Sequence, residues 1–201
     1  MVGTTESHEP HVVALCGSLR DGSRTKIALE SVLEAARENG ATTELVDLRS
    51  YELPSLNAVE PEPSDADHLR ATIADADSVA LGTPNYHGSY TGALKNALDY
   101  CRREEFAETT VGLLEVAGGE FPGSAIAHLR TVSRTLHAWP LPTEVAVPNS
   151  RTTITDDGIE DDAVADRVRR LGHDLVAYAD VSSYPETVES GTTGAGSGAD
   201  D

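Results

Sequence analysis

Five times along this chain a short apolar run gives way to a longer stretch with helical spacing, and no other pattern restricts the possible folds as much. "HVVALC" (11–16) precedes "TKIALESVLEAAREN" (25–39), in which Ile27, Val32, Leu33 and Ala36 share a face and Gly40 closes the run. "TTELVDL" (42–48) is separated from "DADHLRATIADA" (65–76) by a loop containing Pro54, Pro61 and Pro63. "SVALGT" (78–83) leads to "YTGALKNALDYC" (90–101), with Ala93, Leu94, Ala97, Leu98 and Cys101 on one side. "TTVGLLEVA" (109–117) and "GSAIAHLRTVSRTLHA" (123–138) form the fourth pair, and "TEVAVP" (143–148) and "DDAVADRVRRLGHDLVAYAD" (161–180) the fifth.

Strands that alternate with helices predict a parallel sheet covered on both faces, joined by right-handed crossovers. No self-similarity at a fixed period suggests repeats. The 201 residues suit one domain. Five strands in that length predict an α/β three-layer sandwich of flavodoxin-like order, 2-1-3-4-5, and not the longer dinucleotide fold. The expected boundaries are a flexible N-terminus at 1–10, the folded domain at 11–184 and a disordered acidic Gly/Ser/Thr-rich tail at 185–201, where nothing is available to bury.

Charge narrows the function classes. Asp and Glu number 34 against 15 Lys and Arg, a formal net of −19, and only Lys26 and Lys95 are lysines. A general basic surface for nucleic acid is excluded. Carboxylates spread through helices and loops predict a salt-adapted protein of halophilic type, whose surface repels itself until salt screens it. No apolar run is long enough to span a membrane, and the N-terminus lacks a basic segment followed by an apolar one. Cys16 and Cys101 make no disulfide framework and fall on apolar faces, so they read as buried thiols in a reducing cytoplasm. The seven histidines are dispersed and give no metal motif.

In an open parallel sheet, ligands sit beyond the carboxyl ends of the strands. Three loops there carry chemistry. The first, "CGSLRDGSRTK" (16–26), runs into a helix whose leading N–H groups have no intrahelical partners, which suits an anion. Ser18, Ser23 and Thr25 add hydroxyls, and Arg20 and Arg24 add positive charge. Lys26 in the first helical turn opposes the macrodipole and calls for a negative neighbour. Gly17 and Gly22 have P-loop spacing, but Ser23-Arg24 stands where Lys-Ser/Thr belongs, and G-x-G-x-x-G is absent. The loop therefore reads as a monophosphate site; the plain alternative is a Ser/Gly turn with solvated arginines.

The second loop, "PNYHGSY" (84–90), offers backbone amides, the Asn85 amide and the Tyr86 ring to a planar heterocycle. Alone, Tyr86 reads equally as a loop aromatic and His87 as a surface histidine. Lys95 and Asp99, four residues apart, read as a helix-surface ion pair or a subunit contact. The third loop, "EVAGGEFPGS" (115–124), has Gly118 and Gly119, which permit close approach of a ligand or simply make a turn.

"GSLRDGSRT" after the first strand and "PNYHGSYTGALKNALDY" after the third resemble the NADPH-dependent FMN reductase family, which includes quinone, azo-dye and chromate reductases. The resemblance covers about the first two thirds of the chain by motif. It implies a flavodoxin-like fold, bound FMN, NADPH or NADH as co-substrate and assembly as a homodimer or homotetramer. By motif, Ser18, Arg20, Ser23 and Thr25 would hold the FMN phosphate, and Pro84, Asn85, Tyr86 and His87 would line the isoalloxazine, with Gly118 and Gly119 near its other side. The family often has Asn where Thr25 and His87 stand, and Pro where Thr91 stands. Thr25 keeps a hydroxyl donor, while His87 and Tyr86 become candidates for tuning the flavin.

The implied function is transfer of a hydride from reduced nicotinamide to FMN and then to a small acceptor such as a quinone, azo compound, metal oxyanion or free flavin. No side chain need act as nucleophile, and no metal is expected. An alternative is a flavodoxin-like electron carrier between protein partners. Against it stand the Arg-containing first loop and the low aromatic content of 4%. A third possibility is a relative that binds a partner without flavin.

Overall fold

The computed structural model describes residues 9–58, 60, 62–179 and 181. The terminal segments 1–10 and 185–201 lie outside these, except for Glu9 and Pro10. In chain order the elements are β1 (His11–Cys16), α1 (Arg24–Glu38), β2 (Thr42–Asp47), α2 (Ser64–Ala74), β3 (Ser78–Pro84), α3 (Gly92–Tyr100) and α4 (Arg103–Phe106). They continue with β4 (Thr110–Val116), α5 (Ser124–Thr135), β5 (Trp139–Val147), α6 (Ser150–Thr153), β6 (Ile154–Thr155), β7 (Gly158–Ile159) and α7 (Asp162–Ala177). Five strands form one parallel sheet in the order β2-β1-β3-β4-β5.

Alternation along the strands divides the core between two faces. On β1, Val12, Ala14 and Cys16 face the side covered by α1 and α7, where Leu29, Val32, Val168 and Leu171 pack. Val13 and Leu15 face the other side, with Leu69 and Ile73 of α2, Leu94 and Leu98 of α3 and Leu129 of α5. The central strands β1, β3 and β4 are buried almost end to end, which is why they read as unbroken apolar runs. The outer strands β2 and β5 have mixed burial.

Two local departures from the sequence reading have physical causes. β5 begins at Trp139, four residues before the expected Thr143, and includes Pro140 and Pro142. Proline is tolerated because the strand is an edge and because the register against β4 is irregular between Val111 and Leu113. The segment after β5, to which the sequence reading gave no element, folds into α6 and the antiparallel β6–β7 hairpin. No helix among the described residues is long and apolar enough to cross a membrane.

The parallel register brings the strand ends together. Cys16 pairs with Gly82, Pro84 with Val116, and Val116 with Val147. The turns following β1, β3, β4 and β5 thus emerge at one rim.

Candidate functional site

At that rim the turn after β1 is drawn close to the start of α3. Gly17 donates its N–H to the Gly82 carbonyl (2.8 Å), and its own carbonyl accepts from the Thr91 hydroxyl (2.6 Å). A Cβ at Gly17 would lie 2.8 Å from Leu94 Cβ, so only glycine permits this approach. Thr91 also caps α3, with Oγ1 accepting from Leu94 N–H at 3.2 Å, and its N–H donates to Thr83 Oγ1 at 3.1 Å. Where the family often has proline, this chain has a hydroxyl that latches the first loop to the second.

Ser23 is the N-cap of α1, its Oγ accepting from Lys26 N–H at 3.1 Å. The N–H groups of Arg24 and Thr25, at the first two helical positions, have no acceptor within the helix. The hydroxyl residues Ser18, Ser23 and Thr25 are buried at the base of a cleft of about 220 Å³. Arg20, Arg24 and Arg151 line the same cleft. Arg24 is braced by donating Nε–H to the Ile154 carbonyl at 3.1 Å. Lys26 finds its negative neighbour in the protein itself, pairing with Asp47 at 3.2 Å.

The other end of the cleft is lined by Pro84, Asn85, Tyr86, Val116 and Gly118. The Arg20 guanidinium carbon lies 5.8 Å from the Tyr86 ring centroid and joins the two ends. Among the described residues three arginines and no carboxylate line the cleft, in a chain with more than twice as many acids as bases. Such a local reversal of sign gives the cleft the charge that suits an anion.

The ring-side loop is built more tightly than its sequence suggests. Tyr86 and Ser89 exchange backbone hydrogen bonds (3.0 and 3.1 Å) around His87 and Gly88, whose φ values are 54° and 80°. Positive φ at both central residues marks a two-residue hairpin turn for which Asn-Gly is the favoured pair. Position 87 is therefore a backbone-conformation position. His87 is exposed at the tip of the turn and does not line the cleft. His87→Asn is expected to raise the unfolding midpoint by about 1–3 °C, since Asn tolerates the left-handed region better. Thermal melts of the two proteins check this; a lower midpoint would mean the imidazole makes a contact that matters.

Asn85 lines the cleft, but its amide does not project into it as the sequence reading expected. Nδ2 donates to Glu115 Oε1 (2.5 Å) and Ser124 Oγ (3.1 Å), and Oδ1 accepts from Gly88 N–H (3.0 Å). Gly118 lines the cleft, whereas Gly119 is outside it and accepts from Asn149 N–H at 3.0 Å. That bond and Ser150 N–H to the Ala117 carbonyl (2.9 Å) fasten a fourth loop beside the third, bringing Ser150 and Arg151 to the rim. Sequence reasoning passed over this loop, although β5 ends at the same edge and "PNSR" follows it.

The remaining candidates lie elsewhere. Lys95 and Asp99 make the expected ion pair on α3. Both thiols are buried; desolvation pushes Cys16 above the ordinary thiol range and Cys101 up to about 12, so both stay protonated at neutral pH.

The NADPH-dependent FMN reductase family matches residues 10–152, a span that includes both motif-bearing loops. The chain belongs to this family. Among its relatives, the FMN-dependent NADPH-azoreductases of Staphylococcus haemolyticus strain JCSC1435 and Staphylococcus aureus strain USA300 are each 31% identical over 180 residues, spanning 85% of this chain and 95% of theirs. Solved structures share the fold. An apo NADH:FMN oxidoreductase superposes with a TM-score of 0.72 at 22% identity, over 88% of this chain and 92% of its own. The flavoenzyme NAD(P)H:(acceptor) oxidoreductase of Paracoccus denitrificans gives 0.72 at 19% identity, over 85% and 97%.

FMN fits the donor set present in this member of the family. A phosphate matches the free helix amides, buried hydroxyls and arginines at one end. A flat ring matches the proline, tyrosine and close-lying glycine at the other.

Proposed function

We propose that this chain is an FMN-dependent NAD(P)H oxidoreductase that reduces small acceptors of the quinone, azo, metal-oxyanion or free-flavin kind. The observation that carries the reading is the cleft itself, lined among the described residues by three arginines and no carboxylate, with a helix amino end, an aromatic ring and a glycine. FMN, when bound, supplies hydride acceptance from reduced nicotinamide and electron donation to the acceptor.

The chain's own residues bind and orient. Ser18, Ser23, Thr25 and Arg20 hold the phosphate, joined by the Arg24 and Thr25 amides and by Arg151. Pro84, Tyr86, Gly118 and the backbone at Asn85 line the ring, while His87 and Gly119 support the flanking loops. The hydrogen bonds that hold the turn from Tyr86 to Ser89 and the Asn85 amide would keep this end of the cleft in shape around a flat ring. Tyr86 is 44% exposed, leaving the cleft mouth open to a planar molecule. Nicotinamide and acceptor use that opening in turn, a ping-pong order.

Association as a homodimer or homotetramer in the cytoplasm completes the proposal. Leu19, 58% exposed, edges an apolar groove with Leu48, Tyr51 and Leu53 next to the cleft, a surface suited to burial against a second copy.

A visible spectrum of the purified protein in high salt is expected to show a flavin band that bleaches on adding NADPH and returns with a quinone, no other protein being present. A colourless protein that takes up no FMN would overturn the assignment. Bleaching without steady NADPH consumption would favour an electron carrier.

A further inference from the structure

Glu115, the penultimate residue of β4, is fully buried. A carboxylate inside a sheet is costly unless its oxygens are engaged, and three donors meet this one. Oε2 accepts the N–H groups of Gly123 (3.0 Å) and Ile126 (3.2 Å), and Oε1 accepts from Asn85 Nδ2 (2.5 Å). The first two belong to the amino end of α5, whose N-cap, Gly123, makes no side-chain cap. Glu115 reaches across from the strand to do that capping, and the helix macrodipole favours its charge. The third donor belongs to the ring-side loop. Asn85, held by Glu115 and Ser124, turns its Oδ1 to Gly88 N–H, inside the hairpin turn that begins at Tyr86.

We propose that Glu115 is the positioning residue for the ring end of the cleft. By holding donors from residues 85 and 123–126 at once, it fixes the spacing of the two loops on either side of the ring. The inference rests on the FMN-binding reading and adds a residue outside the cleft lining. Its chemistry restricts what can replace it. A glutamine amide at 115 could serve α5 with its oxygen, but its NH₂ would then face the NH₂ of Asn85. Flipping Asn85 removes that clash and points its NH₂ at Gly88 N–H. No pair of amide orientations satisfies both ends.

The test compares wild type, E115Q, N85D and E115Q/N85D, reading the FMN dissociation constant of the apo-protein and the visible circular dichroism of bound flavin. E115Q alone is expected to weaken FMN binding by about tenfold or more and to change the dichroism. In the N85D background the same substitution is expected to tighten binding, because the introduced amide can donate to the introduced carboxylate. The charge removed is the same in both backgrounds, so a plain Coulombic effect would act in one direction throughout. Affinity within about twofold of wild type in E115Q, or the same sign in both backgrounds, overturns the proposal. Should E115Q alone fail to fold, N85D and E115Q/N85D carry the test: the double variant must bind FMN more tightly and melt higher, and equality overturns the proposal. A wild-type chain that takes up no FMN overturns both readings, whereas one that binds FMN without the reversal overturns only this one.

Discussion

Arg20→Glu is expected to weaken FMN binding by at least about a hundredfold while leaving the fold intact. A charge-assisted hydrogen bond to phosphate contributes about 1.5–3 kcal/mol, and each ~1.4 kcal/mol is tenfold in affinity. Reversing the charge adds repulsion to that loss. The effect is large here because the cleft has three arginines and no carboxylate among the described residues that line it, inside a chain of net charge −19 that otherwise repels anions. Arg20 is exposed, and its ring contact with Tyr86 contributes only about 0.5–1 kcal/mol, so stability changes little. Fluorescence titration of the apo-protein with FMN measures the loss, and riboflavin, which lacks the phosphate, is the control. Equal losses for both ligands would move Arg20 from the phosphate to the ring.

Salt is expected to raise the unfolding midpoint by about 10 °C or more between 0.1 M and 2 M KCl. Two electrostatic effects oppose each other. Exposed pairs such as Arg37–Glu34, Lys95–Asp99 and Arg169–Asp166 weaken with salt, but each is worth only about 0.3–0.5 kcal/mol. Fifteen cations offset 15 of the 34 negative charges, which leaves a net excess of 34 − 15 = 19. Their mutual repulsion extends over ~10 Å at 0.1 M salt and ~3 Å at 1 M, so screening removes more repulsion than attraction. Melts in KCl and NaCl should agree, since screening does not distinguish the cations. A midpoint indifferent to dialysis into dilute buffer would show that the acidic surface asks nothing of the solvent.

The sheet order and the identity of the strand-end loops were legible because buried strands and amphipathic helices leave different periodicities. That Ser18, Arg20, Ser23 and Thr25 share one cleft was legible for a related reason, as hydroxyls and arginines where a strand turns into a helix gather at the helix amides. What stayed hidden is contact between distant parts of the chain. Nothing in "TEVAVPNSR" announces that two backbone hydrogen bonds to Ala117 and Gly119 will bring Arg151 to the rim. That His87 takes a positive φ beside Gly88 at the tip of a turn was likewise not legible from its side chain. Glu115 looked like the end of a strand; only the fold brings Asn85 and the start of α5 to its carboxylate. Short-range patterns survive in the linear text, whereas long-range hydrogen bonds do not.

The fastening of the fourth loop has an evolutionary corollary. The two bonds that seat it, from Asn149 and Ser150 to the carbonyls of Gly119 and Ala117, use main-chain atoms alone. Side-chain identity at position 151 is therefore uncoupled from the anchoring, so descendants of this chain can exchange that arginine for another group and change the charge at the rim without rebuilding the scaffold beneath it.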